Sequence, residues 1–160
     1  MSLVLDSSAT LAWIYSDETT DAIRALFDQV ADEGAVVPAL WRLEIANSLT
    51  VAVRRSRIDV EFRRAALADL AHLDITTDEH TNSHAWSDTL HLADRFRLTL
   101  YDAAYLELAQ RRKLPLATLD QELRAAAQAV GMKTLGDGLS SLIDTPMSDN
   151  KNSSWKPGTA

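Results

Sequence analysis

The stretch Leu3-Val4-Leu5-Asp6-Ser7-Ser8-Ala9 decides the architecture. Three apolar residues followed by an acid and two hydroxyl residues read as a buried strand, roughly residues 2–6, that runs straight into a helix. An acid at the carboxyl end of an opening strand stands where an open α/β sheet presents chemistry to its ligands. Taken alone, Asp6 is also a natural helix cap or turn residue.

Outward from this stretch, Ala9 to Tyr15 predicts a short helix capped by Ser7 or Ser8. Thr19 or Thr20 caps a second helix, in which Ile23, Leu26, Phe27 and Val30 follow the 3.6-residue period before Gly34 ends it. Residues 35–38 form a short buried strand. A helix from Leu40 to Arg55 then carries Trp41, Ile45, Leu49 and Ala52 along one side. A fourth helix spans 60–71, and Asp74-Ile75-Thr76 reads as a short strand. One long helical region is expected from residue 79, with Trp86, Leu90, Ala93 and Phe96 along it, and another helix starts near Tyr101. Pro115 to Thr118 is a strand, Gln121 to Val130 a helix, and Met132 to Leu135 a last strand.

Short strands separated by helices imply an α/β fold, a three-layer α/β/α domain with a central parallel sheet. Residues 1–145 are expected to form one domain. Residues 146–160 are polar and lack a periodic apolar face, so a disordered tail with a lone Trp155 is predicted there.

Composition narrows the chemistry. A net charge of −7 argues against a non-specific polyanion binder, although divalent ions in an acidic cleft would reverse the local sign. The absence of cysteine rules out disulfides and thiolate metal sites. The start lacks the pattern of a secretion signal, and no apolar run approaches a membrane span, so a cytoplasmic protein is expected. The basic clusters Arg54-Arg55-Arg57, Arg63-Arg64 and Arg111-Arg112-Lys113 read first as solvated helix ends and second as substrate contacts, with Arg54, Arg55 or Arg57 as candidates for backbone phosphate.

Three further acids share the setting of Asp6. Asp120 ends the second strand that runs directly into a helix, and it too has an N-cap reading. Two parallel strands ending in Asp can put both carboxylates at one edge of a sheet. Glu44 lies early in a strongly apolar helix and shares a face with Asn47 and Ser48. Asp102 opens a mostly apolar helix, where the helix dipole alone favours an acid. Four converging carboxylates would raise one another's pKa values, and a hard divalent ion resolves that conflict. Carboxylates and water suit Mg²⁺ or Mn²⁺ better than zinc, and His80 and His84 lack the Glu of an HExxH pattern. No GxGxxG turn, GxxxxGK[ST] loop or GxSxG elbow is present.

Four segments carry a resemblance. Val4-Leu5-Asp6-Ser7-Ser8-Ala9, Pro38 to Asn47, Leu98 to Leu106 and Leu116-Ala117-Thr118-Leu119-Asp120, in this order and spacing, resemble the PIN-domain ribonucleases, in particular the VapC-type toxins. The resemblance implies a PIN-like α/β fold whose acidic pocket falls on Asp6, Glu44, Asp102 and Asp120. It places the family's small hydroxyl residues at Ser8 and Thr118, and its common polar position on the glutamate helix at Asn47. It further implies a Mg²⁺- or Mn²⁺-dependent endoribonuclease that leaves 5′-phosphate and 3′-hydroxyl ends. Such proteins are typically homodimers neutralised by a VapB-type antitoxin. Two rival readings stand beside this one: a catalytically silent PIN-fold interaction module, with the acids as caps, and a structure-specific DNA nuclease.

Overall fold

The computed structural model describes residues 2–137. The predicted polar tail, Trp155 and the end of the expected 1–145 domain lie outside these residues. In chain order the elements are β1 (Leu3–Leu5), α1 (Ser7–Ile14), α2 (Asp21–Glu33), β2 (Ala35–Val37), α3 (Trp41–Arg54), α4 (Val60–Ala71) and β3 (Ile75–Thr77). There follow α5 (Thr81–His84), α6 (Asp88–Phe96), α7 (Leu100–Arg112), β4 (Leu116–Ala117), α8 (Gln121–Ala129) and β5 (Thr134–Leu135).

The five strands form one parallel sheet in the order β3-β2-β1-β4-β5. Leu3, Val4 and Leu5 are all fully buried. Since successive side chains of a strand point to opposite faces, β1 is covered on both sides, as the α/β reading requires. After β1 the chain builds outward through β2 and β3, then crosses back to lay β4 on the other flank of β1. The gap between the carboxyl ends of β1 and β4 is therefore the topological switch point of the sheet, where open α/β folds bind ligands.

Sequence periodicity accounts for the supporting helices. Thr20 caps α2 by accepting from the Ile23 amide at 3.2 Å, and Ile23, Leu26, Phe27 and Val30 are buried. Gly34 ends that helix at φ 76°, where a Cβ would lie 3.0 Å from the Asp74 carbonyl oxygen. Trp41, Ile45, Leu49 and Ala52 form the buried side of α3.

Two expectations are corrected. The long helix from residue 79 is instead the short α5 and α6, parted by a turn at 85–87. Ser87 donates to the His84 carbonyl at 3.3 Å, a local bond that competes with helix continuation. Trp86 is consequently 93% exposed and Leu90 47%, and burial begins only at Leu92 and Ala93. At the other end of the chain, Ser7 and Ser8 do not cap α1 but lie in its first turn, with Asp6 at the N-cap position. The Asp6 side chain makes no capping bond, because its carboxylate is engaged elsewhere.

Candidate active site

Asp6 leaves the end of β1 and is 3% exposed. Its Oδ2 accepts two hydroxyl protons, from Ser8 Oγ and Thr118 Oγ1, each at 2.7 Å. Ser8 Oγ in turn accepts from the Leu119 amide at 2.9 Å, and Thr118 Oγ1 from the Asp120 amide at 3.0 Å. Both hydroxyls thus relay a backbone N–H of the β4–α8 turn to the carboxylate at the end of β1. Their single protons are committed to Asp6, so neither is poised as a nucleophile. Oδ1 receives a long contact from the Ser7 hydroxyl at 3.4 Å, and the Ser7 backbone also bonds the carboxyl.

Asp120 is the N-cap of α8, accepting from the Leu123 amide at 2.9 Å through Oδ1. The cap reading is therefore correct for Asp120. It still leaves Oδ2 uncommitted, and its charge reaches Asp6. Beneath it, the buried Arg124 of α8 donates to the Thr118 carbonyl and, at 3.1 Å, to that of Leu135, bracing the end of β4.

Glu44 on α3 accepts a 2.5 Å hydrogen bond through Oε1 from the hydroxyl of Tyr105 on α7, a residue with no exposed surface. Asp102 sits in the first turn of α7, where Thr99 caps the helix by accepting from the Asp102 amide at 3.1 Å. Tyr105 was not singled out in the sequence. Its signal was the three-residue spacing from Asp102, which places both on one face of α7. Burial and the carboxylates nearby push the Tyr105 phenol far above its usual range, so it remains a donor.

The acids are electrostatically one site. Burial, followed by the hydroxyl bonds that oppose it and the charge of Asp120, leaves the Asp6 carboxyl above its ordinary value. Burial raises Glu44 as well, with Asp6 and Asp102 contributing. Asp102 is pushed up to about 6, first by burial and then by Asp6 and Asp120. Among the described residues none of the four makes an ion pair, and no three His, Cys, Asp or Glu side chains form a ready-made metal cage. The donor set fits a hard divalent cation by its chemistry: oxygen ligands only, charges held partly dehydrated against mutual repulsion, and no arginine or lysine paired with them among the described residues.

A sequence profile of the PIN domain matches residues 3–129. The chain belongs to the PIN domain family. It is 28% identical over 123 residues to Ribonuclease VapC3 of Pyrobaculum aerophilum, an alignment covering 77% of this chain and 92% of the relative. It is 30% identical over 132 residues to Ribonuclease VapC3 of Mycobacterium tuberculosis, covering 81% and 92%. Two solved structures share the fold. The crystal structure of PAE2754 from Pyrobaculum aerophilum superposes with a TM-score of 0.58 at 21% identity, covering 89% of this chain and 93% of that one. FitAcB from Neisseria gonorrhoeae gives 0.59 at 15% identity, covering 84% and 96%. This PIN domain carries all four acids within the matched segment.

Proposed function

We propose that this protein is a Mg²⁺- or Mn²⁺-dependent endoribonuclease toxin, active as a homodimer and neutralised by a cognate VapB-type antitoxin. The observation that carries the reading is the Asp6 hub at the switch point. A carboxylate is fixed by two hydroxyls from two chain segments amid three other acids, with no ion pair to any of them among the described residues. The ribonuclease names of the VapC3 relatives supply the substrate class.

Asp6, Glu44 and Asp102 would hold the principal ion, directly or through water, with Asp120 completing the shell or holding a second ion with substrate. A bound divalent ion supplies an acidified water and neutralises charge gathering on the phosphate. The chain's own part is positional. Ser8 and Thr118 lock the Asp6 carboxylate against rotation, while Tyr105 fixes Glu44 by donating to Oε1. Second-sphere donors of this kind govern how well a ligand set is pre-organised. The same acidic groove suits an arginine from an inhibitory antitoxin segment, because guanidinium pairs bidentately with carboxylate.

The deciding assay uses purified protein freed of antitoxin, with structured RNA, single-stranded DNA and flapped DNA as substrates. RNA cleavage is expected with Mn²⁺ or Mg²⁺ and none in EDTA. Cleavage confined to flapped DNA supports a DNA nuclease instead, and inertness toward all three supports an interaction module.

A pH signature follows from the raised carboxyls. Between the ordinary carboxylate range and about pH 6 the folded protein holds more protons than the unfolded chain, so metal-free stability falls as pH rises through that window. Added Mn²⁺ competes with those protons. It is expected to raise the Tm clearly at about pH 7.5 and much less at about pH 5, in a thermal melt of apo protein. Equal increments at both pH values contradict binding at these acids.

A further inference from the structure

The face of α3 that presents Glu44 does not stop there. Asn47, Ser48, Val51 and Arg55 follow at three, four, seven and eleven residues from Glu44, one continuous stripe of an α-helix. It spans about 16 Å, at about 1.5 Å of rise per residue. Across from it, Leu11 and Tyr15 of the α1 segment complete an open groove with a volume of about 370 Å³. Along α3 the groove lining begins at Asn47, about one turn beyond Glu44, and ends on Arg55.

The arginine cluster sorts itself by what each side chain already holds. Arg57 also lines the groove, but its guanidinium is bound to Glu18 at 3.1 Å and Asp17 at 3.5 Å and lies over the Tyr15 ring. Glu18, the one acid of the groove wall, is thereby neutralised. Arg64 is paired with Glu61, and Arg63 donates to Thr50. Among the described residues, the side chains of Arg54 and Arg55 have no hydrogen bond or ion pair. Only Arg55 reaches the groove; Arg54 is turned about 100° around the helix axis.

We propose that the α1–α3 groove is the track for the RNA strand flanking the scissile phosphate, with Arg55 as its phosphate contact and Asn47 and Ser48 as polar contacts on the way. The proposal rests on the ribonuclease reading and adds the direction in which the strand leaves the acids. An exposed cation at the far end of a groove lined by both polar and apolar side chains complements a polyanion whose reacting phosphate lies at the metal end. The groove is too poor in exposed aromatic surface to stack bases, since Tyr15 is only 7% exposed, so the track holds backbone rather than reading sequence.

The test measures binding of a single-stranded RNA longer than the groove to the Asp6→Asn background with Ca²⁺, which separates affinity from turnover. Arg55→Ala is expected to weaken binding about tenfold and to reduce the slope of log K against log salt by about 0.7, the loss of one single-strand phosphate contact. Arg54→Ala removes the same charge from the neighbouring face and is expected to change neither. Equal losses in the two variants, or none in Arg55→Ala, overturn the track. If Arg55→Ala weakens binding of the antitoxin proposed above but not of RNA, the groove is a protein site and the proposal also fails. Parent protein that cleaves no RNA in Mn²⁺ marks failure of the ribonuclease reading itself, whereas cleaving parent with an unaffected Arg55→Ala marks failure of the track alone.

Discussion

Asp6→Asn is expected to abolish RNA cleavage while leaving the metal-free protein at least as stable as the parent. The two halves come from one cause. Asp6 acts on both Glu44 and Asp102, and burial raises its carboxyl although two hydroxyl donors oppose the shift. Asparagine keeps an oxygen that can accept from Ser8 and Thr118 but removes the charge that would hold a cation. Disturbing second-sphere groups of a metal site typically costs about 10- to 100-fold, and loss of a ligand charge at the hub should exceed that range. Stability moves the other way. A group whose carboxyl is raised in the fold disfavours the folded state once it ionises, so at neutral pH a neutral side chain relieves the protein. Cleavage of structured RNA in Mn²⁺ and a thermal melt in EDTA measure the two effects. Full activity sinks the assignment of Asp6, and a large fall in Tm shows that the residue serves the fold first.

The sheet, and the placement of Asp6 and Asp120 after neighbouring strands, were legible in the sequence because both are written locally. A buried run followed by an acid and a helix start marks β1 and β4, and parallel pairing through Val4–Leu116 and Leu5–Ala117 brings those two ends together. What the sequence did not carry lies between elements. The role of Ser8 as a hinge between Asp6 and the Leu119 amide depends on residues more than a hundred positions apart. Tyr105 reads as one more apolar position of α7 until α3 is packed beside it, when its hydroxyl meets Glu44. The break between α5 and α6 was missed for a different reason: side chains such as Ser87 compete for backbone groups, and hydropathy is blind to that competition. Arg111 was named only as part of a basic cluster, although its position fixes one end of the molecule.

Arg111→Ala is expected to destabilise the protein by about 3–5 kcal/mol, the loss seen when one partner of a buried charge cluster is removed. Arg111 holds Asp78 through two bonds, at 3.0 and 2.7 Å, and Glu107 through two more, at 2.7 and 3.2 Å. Those carboxylates are 1% and 4% exposed, so neither can turn to water when the guanidinium goes. Asp78 also accepts from Thr81 Oγ1 at 2.9 Å, and that oxygen receives the Ala39 amide at 3.0 Å. One arginine therefore ties α7 to the end of β3, to α5 and to the segment that launches α3. Burial alone would raise the Asp78 carboxyl, but the hydrogen bonds from Arg111 and Thr81 hold it below its ordinary value. A depressed carboxyl adds stability above the unfolded-state value and loses it as pH falls through the folded one. In Arg111→Ala the sign reverses at Asp78, because the unpaired carboxylate is disfavoured, so the deficit should narrow as pH is lowered toward about 5. Urea denaturation at two pH values reads both effects. A neutral replacement of the whole cluster, Arg111→Met with Asp78→Asn and Glu107→Gln, is expected to recover much of the loss, since no buried charge is then left uncompensated. A loss in Arg111→Ala below about 1 kcal/mol, the range of solvated surface pairs, would falsify the clamp. Because α7 also carries Asp102 and Tyr105, a loosened clamp should weaken Mn²⁺ binding at the distant acids as well, coupling the stability of this corner to the site at the switch point.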